Sequence, residues 1–283
     1  MIVTRLIGGL GNQMFQYAAG RALALRLGTE LRIDRGAFAT YDVRPYALGP
    51  MALRAPDAQP ADIPPSRPPS FLKRLLRPRP HTHLVKEASL RFDPAVFGAA
   101  DGAYLDGYWQ SERYFADARD VIRADFTVAT PPDAANAAIL AQAAGEGSVS
   151  VHVRRGDYVS NPDAQAVHGT CTPDYYRQAA ELLAARVGTG LTAFVFSDDH
   201  DWARANIRLP FPTVHVDFND GDHPHEDLRL MSACRHHIIA NSTLSWWGAW
   251  LDARDGLVIA PSRWFAAAHM DATDIVPERW LRV

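Results

Sequence analysis

Ser148 to Val153 reads Ser-Val-Ser-Val-His-Val, with a valine at every second position, and then breaks into Arg154, Arg155, Gly156 and Asp157. The valine run reads as a short buried strand. A strand ending in a charged, glycine-containing loop is where open α/β folds hold ligands. Two permanently charged guanidiniums at such an end suit a phosphate or pyrophosphate. The alternative is a surface loop in which arginine and aspartate pair with each other.

The rest of the chain repeats this grammar. Ile2 to Ile7 reads as a buried strand, followed by Gly8, Gly9 and Gly11. A helix is expected from about Asn12 to Leu27, with Met14, Ala18, Ala22 and Leu25 at helical spacing and Gly28 at its C-terminal cap. Thr29 to Ile33 is a second strand, ending at Asp34. This β-α-β opening implies a parallel pair. Ala103 to Phe115 is dense in aromatics, Asp117 to Asp125 is helical, and Pro131 to Gly147 holds an alanine-rich helix. After Val149–Val153, Thr172 caps a helix with Pro173 at its first position and Gly188 past its end. Strands are expected at Ala193–Phe196, Thr213–Val216, His237–Ala240 and Leu257–Ala260, and helices at Trp202–Ile207, Glu226–Arg235 and Ser245–Leu251. The expectation is an α/β chain of two Rossmann-like domains facing across a cleft, residues 1–145 and 146–283.

Pro56 to Pro80 departs from the pattern. Eight of the chain's 20 prolines fall in it, which excludes regular helix or central strand over most of its length. It reads as a surface excursion of the first domain. Within it, Phe71, Leu72, Leu75 and Leu76 alternate with Lys73, Arg74 and Arg77. This stretch reads either as a short helix docked on its own domain or as a peripheral contact with an anionic membrane surface.

Composition narrows the functional class. With 283 residues, 47% hydrophobic and 22% charged, the chain has the balance of a globular protein, and its net charge of −3 gives no overall field for nucleic acid. Cys171 and Cys234 have no paired spacing, so a reducing cytoplasmic setting is expected rather than a disulfide framework. The N-terminus lacks the pattern of a secretory leader, and no run of 18 apolar residues occurs.

The residues after the second domain's strands are uniformly polar: Arg154 and Arg155; Ser197, Asp198 and Asp199; Asp217; and Asn241, Ser242 and Thr243. Parallel strands bring these ends to one side of the sheet. In Asn241-Ser242-Thr243-Leu244-Ser245, Ser242 and Thr243 open a helix, where free N–H groups and the dipole favour anions. A plain N-cap is the common fate of such residues and is compatible with a phosphate cradle. Asp198 or Asp199 then suits a guanine or a ribose.

Other patterns are weaker. The Gly-rich turn, helix and Asp34 approach a dinucleotide fingerprint, but Met14 fills the third glycine position, which opposes an NAD(P)-dependent oxidoreductase. That turn can instead present Asn12 and Gln13 to a ligand. Asp199-His200-Asp201 matches the Asp-x-Asp of metal-dependent sugar transferases over two residues only. His223, His225, Glu226 and Asp227 precede a helix, whose N-terminus favours acidic residues. A non-catalytic nucleotide-sugar or glycan-binding module is the remaining alternative.

Four segments, Leu6–Ala24, Gly107–Phe115, Val151–Val159 and Asp227–Leu251, with Phe194–Asp199 as a fifth, resemble the bacterial α-1,2-fucosyltransferases of glycosyltransferase family 11. The proline-rich window carries no part of the resemblance. It implies a GT-B fold, GDP-fucose as donor, no metal or other cofactor, and inversion to an α-1,2-linked fucoside, usually on a galactose of a surface glycan. It assigns Arg154 to the pyrophosphate. His152, Arg155, Ser197, Asp198, Asp199, Asn241, Ser242, Thr243 and Leu244 fall to the donor, and Asn12 to the opposite wall of the cleft. Asp157 is the candidate general base, or else a residue that orients Arg154 or Arg155; Glu112 and Asp106 are alternatives. Tyr108 and Trp109 suit the faces of acceptor sugars, or equally the core.

Overall fold

The computed structural model describes residues 1–41, 43–64 and 82–283. These form two compact units, Met1–Ala129 and Thr130–Val283.

In the first unit, β1 (Ile2–Arg5) leads into α1 (Leu10–Arg26) and β2 (Leu31–Asp34). Gly28 follows at φ 62°, the left-handed conformation in which glycine closes a helix. β3 (His83–Lys86) and β4 (Ala103–Asp106) complete a parallel sheet in the order β2-β1-β4-β3, and α2 (Arg119–Asp125) ends the unit's regular elements. Met14 is buried at the position where a dinucleotide fold has its third glycine. The close approach of helix to sheet occurs instead at Gly20, where a Cβ would lie 2.9 Å from Leu31 Cδ1 and 3.0 Å from Thr4 Cβ.

The proline-rich window begins as part of this fold. Ile33 N donates to Pro56 O at 3.0 Å, Ala58 N donates to Ile33 O at 2.8 Å, and buried Asp62 pairs with Arg32 at 2.9 Å. Residues 65–81, including Phe71–Arg77, lie outside the described residues.

The second unit starts with α3 (Ala134–Ala143), upstream of the boundary expected at 145/146. Its Asn136 exchanges hydrogen bonds at 3.0 Å with Asn219, and Arg254 Nη1 donates to Ala144 O at 3.0 Å. These contacts assign the alanine-rich helix to the second unit. There follow β5 (Ser148–Val153), α4 (Gly156–Ser160), α5 (Pro162–His168), α6 (Pro173–Val187), β6 (Thr192–Ser197), α7 (His200–Asn206) and β7 (Thr213–Val216). α8 (Pro224–Ala233), β8 (His236–Ile238), α9 (Thr243–Leu251), β9 (Val258–Ala260) and β10 (Leu281–Arg282) complete the unit.

All six strands of this sheet are parallel, in the order β10-β9-β8-β5-β6-β7. Counted from β5, this is the 3-2-1-4-5-6 order of a Rossmann fold. The order reverses between β5 and β8, and ligands of such sheets bind at the carboxyl ends of the strands flanking that point. The expected α/β class and Rossmann-like character therefore hold. α4, α5 and β10 are additions to the sequence reading, as are β3 and β4 in the first unit.

Candidate functional site at the second sheet's switch point

β5 delivers Arg154 and Arg155 to the carboxyl end of the sheet, and β6 delivers Ser197, Asp198 and Asp199 beside them. Arg154 Nη1 lies 2.7 Å from Asp198 Oδ2, and Arg154 Nη2 donates to Asp157 Oδ1. Its guanidinium sits 5.0 Å from the centroid of the Tyr158 ring. Arg155 N donates to Asp198 Oδ1 at 2.7 Å, Arg155 Nε donates to Asp199 Oδ2 at 3.0 Å, and the guanidinium stacks over Trp202 at 3.7 Å. Arg154 and Arg155 are thus tied to carboxylates, and the pairing of Arg154 with Asp157 belongs to the loop alternative.

Gly156 makes this packing possible, because a Cβ there would fall 2.5 Å from Asp198 Oδ2. Ser197 Oγ accepts from Asp199 N at 3.0 Å. Asp199 Oδ1 caps α7 by accepting from Trp202 N at 3.3 Å. Both oxygens of Asp199 are therefore engaged within the chain, which gives Asp199-His200-Asp201 a capping role. Among the described residues no three His, Cys, Asp or Glu side chains converge as a metal site.

His152 is buried near the end of β5, and its Nδ1 has no hydrogen-bond partner among the described residues. Burial pushes its pKa down to about 4, with Asp198 opposing the shift and Arg154 adding to it. The imidazole is therefore neutral at physiological pH. Tyr176 fixes the strand here by donating from its hydroxyl to His152 O at 3.0 Å.

Across the switch point, β8 leads to Asn241, Ser242 and Thr243. Asn241 is a clamp: its Nδ2 donates to His168 O, Gly169 O and Trp264 O at 3.0, 3.3 and 3.1 Å, and its Oδ1 accepts from Cys171 Sγ at 3.6 Å. Its amide thus holds the loops around His168, Gly169 and Trp264 in place beside the first turn of α9. Ser242 stands at the N-cap of α9, yet its hydroxyl makes no capping bond. Thr243 and Leu244 follow in the first turn, each partly exposed. α9 is held rigidly, since Trp246, Trp247 and Trp250 are buried and Trp246 Nε1 donates to Ile275 O at 2.8 Å.

In the first unit, β1 and β4 are parallel neighbours, and the loops after these strands meet. Gln110 Nε2 donates to Asn12 Oδ1 at 2.9 Å. Gln13 is buried and turned inward, its Nε2 donating to Gly8 O (2.7 Å) and Pro45 O (2.9 Å) and its Oε1 accepting from Ala47 N (2.9 Å). It closes the glycine turn and is not offered to a ligand.

Glu87 accepts from the N–H groups of Tyr108 (2.6 Å) and Trp109 (2.9 Å), and Trp109 sits at φ 56°. Trp109 is core, 1% exposed against 40% for Tyr108. Asp106 pairs with Arg5 at 2.8 Å, and Glu112 begins a short 3-10 turn capped by Ser111. The sequence reading missed Tyr158, Trp202 and Gln110. Only Tyr158 carried a local signal, an aromatic residue placed one turn after Arg154.

The His223–Asp227 cluster belongs to the start of α8. His223 pairs with Asp220 at 2.6 Å and Glu226 with Arg229 at 3.0 Å.

Residues 85–283 match the model of glycosyl transferase family 11. An α-1,2-colitosyltransferase of Escherichia coli is 36% identical over 293 residues, covering 100% of this chain and 99% of the relative. Galactoside α-(1,2)-fucosyltransferase 1 of Saimiri boliviensis boliviensis is 28% identical over 262 residues, covering 89% and 66%. The crystal structure of the fucosyltransferase NodZ from Bradyrhizobium aligns with a TM-score of 0.48 at 16% identity, covering 87% of this chain and 91% of that one.

Proposed function

The chain belongs to glycosyl transferase family 11, and from that membership we propose that it moves a 6-deoxy-L-hexose from a GDP donor to the 2-hydroxyl of a galactoside, with inversion and without a metal. Fucose is the expected sugar. Colitose, which is fucose lacking the 3-hydroxyl, is the alternative favoured by the full-length relative. The observation that carries this reading is the second sheet's switch point, where Arg154 follows β5 and the uncapped first turn of α9 follows β8.

As the glycosidic C–O bond breaks, negative charge grows on the leaving diphosphate. Arg154 and the N–H groups of α9 are fixed donors suited to meet it. Asp157 and Asp198 hold the Arg154 guanidinium in place, which makes them positioning residues. Neutral His152 adds no competing charge near the end of β5. Asn12, held by Gln110, and exposed Tyr108 are the first unit's candidates for the acceptor, with Glu112 beside them. Phe71–Arg77 is retained as a peripheral contact with an anionic inner-membrane surface, to be checked by sedimentation with anionic liposomes at low salt. Among the described residues no helix is long and apolar enough to cross a membrane.

The test is to incubate the protein with GDP-fucose or GDP-colitose, lactose and EDTA. The expected result is GDP together with a trisaccharide. Absence of both products with both donors overturns the reading, and activity restored only by a divalent cation overturns its metal independence.

A further inference from the structure

Arg154, Arg155, Asp157, Asp198 and Asp199 set two cations against three carboxylates, a net of one negative charge in the very loops that face the donor. A diphosphate placed there meets guanidiniums whose charge is already matched. A further cation on the same side of the sheet would add the positive charge that this cluster lacks.

Arg263, which follows β9, is such a cation. Its Nε donates to Phe265 O at 3.0 Å and its Nη2 to Ala266 O. Backbone carbonyls thus aim the guanidinium, and no carboxylate among the described residues pairs with it. Arg263 lines a cavity of about 250 Å³ together with Asn241, His168 and Thr170. Asn241 immediately precedes Ser242, so the cavity adjoins the first turn of α9. His168 stacks on Tyr158 with ring centroids 4.4 Å apart and planes within 3°, and the Arg154 guanidinium lies over that same Tyr158 ring. The cavity and Arg154 therefore flank one aromatic stack.

We infer that Arg263 is a donor-phosphate-binding residue, gripping the sugar-bearing phosphate of the nucleoside diphosphate while the adjoining cavity takes the sugar. The inference rests on the nucleotide-sugar reading above. It adds a cation that lies well outside the Arg154–Asp157 loop and that carries no motif of its own. The planar fork of arginine matches two phosphate oxygens at once, which a lysine cannot reproduce.

The test is titration calorimetry of the full chain with GDP and with GMP, which lacks the outer phosphate. The parent protein is expected to prefer GDP. Arg263→Gln keeps a side chain able to reach the backbone carbonyls and loses the charge. It is expected to bind GDP about tenfold more weakly and GMP within about twofold of the parent, so that the preference collapses. Arg263→Lys should fall between the two. An unchanged GDP-to-GMP ratio in Arg263→Gln overturns the inference, as does equal weakening of both ligands. A parent protein that binds GDP but lacks the preference overturns it too. A parent protein that binds neither nucleotide overturns the donor reading itself, and the inference with it.

Discussion

Asp198 holds Arg154 from the neighbouring strand: its Oδ2 lies 2.7 Å from Arg154 Nη1 and so joins the ends of β5 and β6. Its other oxygen accepts from the backbone of Arg155 at 2.7 Å. One carboxylate thereby fixes both the side chain proposed to meet the leaving group and the loop that carries it. Arg154→Ala is expected to lower turnover about 10²–10³-fold, the usual effect of removing one preorganised donor. Asp198→Asn, which keeps the shape and drops the charge, should lower it less. GDP release under saturating donor measures both, and an unchanged turnover number in Arg154→Ala would remove that residue from the mechanism.

Gly156→Ala tests the same contact sterically. The new methyl would meet Asp198 Oδ2 at 2.5 Å, and that oxygen is not free to retreat because it is bonded to Arg154. Overpacking of this kind costs about 1–3 kcal/mol. Urea unfolding should report that loss, and turnover should fall alongside it. Wild-type values for both would show that the loop opens more easily than its contacts indicate.

His152 gives the protein an acid limb. Burial holds its pKa down to about 4 against an ordinary 6.5. The unfolded chain therefore takes up a proton below 6.5 that the folded chain refuses until near 4, and stability falls as pH drops through that window. Buried His237, also pushed down by burial, contributes in the same direction. His152→Asn should flatten the decline in the urea midpoint between pH 7.5 and 5 without abolishing it. An identical slope in the variant would place the buried proton elsewhere.

Asp227 acts with the opposite sign. Burial raises its pKa from 3.8 to about 6, against a hydrogen bond from Asn219 at 2.9 Å that favours the charged form. The folded chain thus holds a proton that the unfolded chain releases, so stability is lost as pH rises towards and through 6. Asp227→Asn retains the oxygen facing Asn219 and has no charge to bury. The variant should melt with the parent near pH 4 and be more stable by about 1–3 kcal/mol at pH 8. Thermal melts at the two pH values decide it.

Much of this was visible in the chain. The period of the apolar positions marked α1, and the polar residue after each strand of the second unit marked the carboxyl side of its sheet. Three features stayed hidden because they depend on residues far apart in sequence. β4 was masked by its aromatic neighbours, and only its pairing with β1 and β3 makes Ala103–Asp106 a strand. Trp109 read as either a sugar platform or core. What settles it is Glu87, which captures two successive N–H groups from another strand end and fixes the turn at φ 56°. The strands' order brought Arg154, Arg155, Asp198 and Asp199 together at one side of the sheet, but the arginine–aspartate pairing read within one loop gave no sign that Asp198 and Asp199 of the next strand would also take up the two guanidiniums.

The placement of α3 bears on how such enzymes can be shuffled. A hybrid that takes its amino half from this chain and its carboxyl half from a relative has a natural seam between Ala129 and Thr130, where the compact units divide. A crossover at 145 would part the helix from Asn219 and Arg254, its partners in the other parent. One at residue 85, where the family match begins, would split β3 itself and divide the first sheet between two ancestries. Donor preference, if it travels with the second unit, should then be transplantable as a single cassette of 130–283.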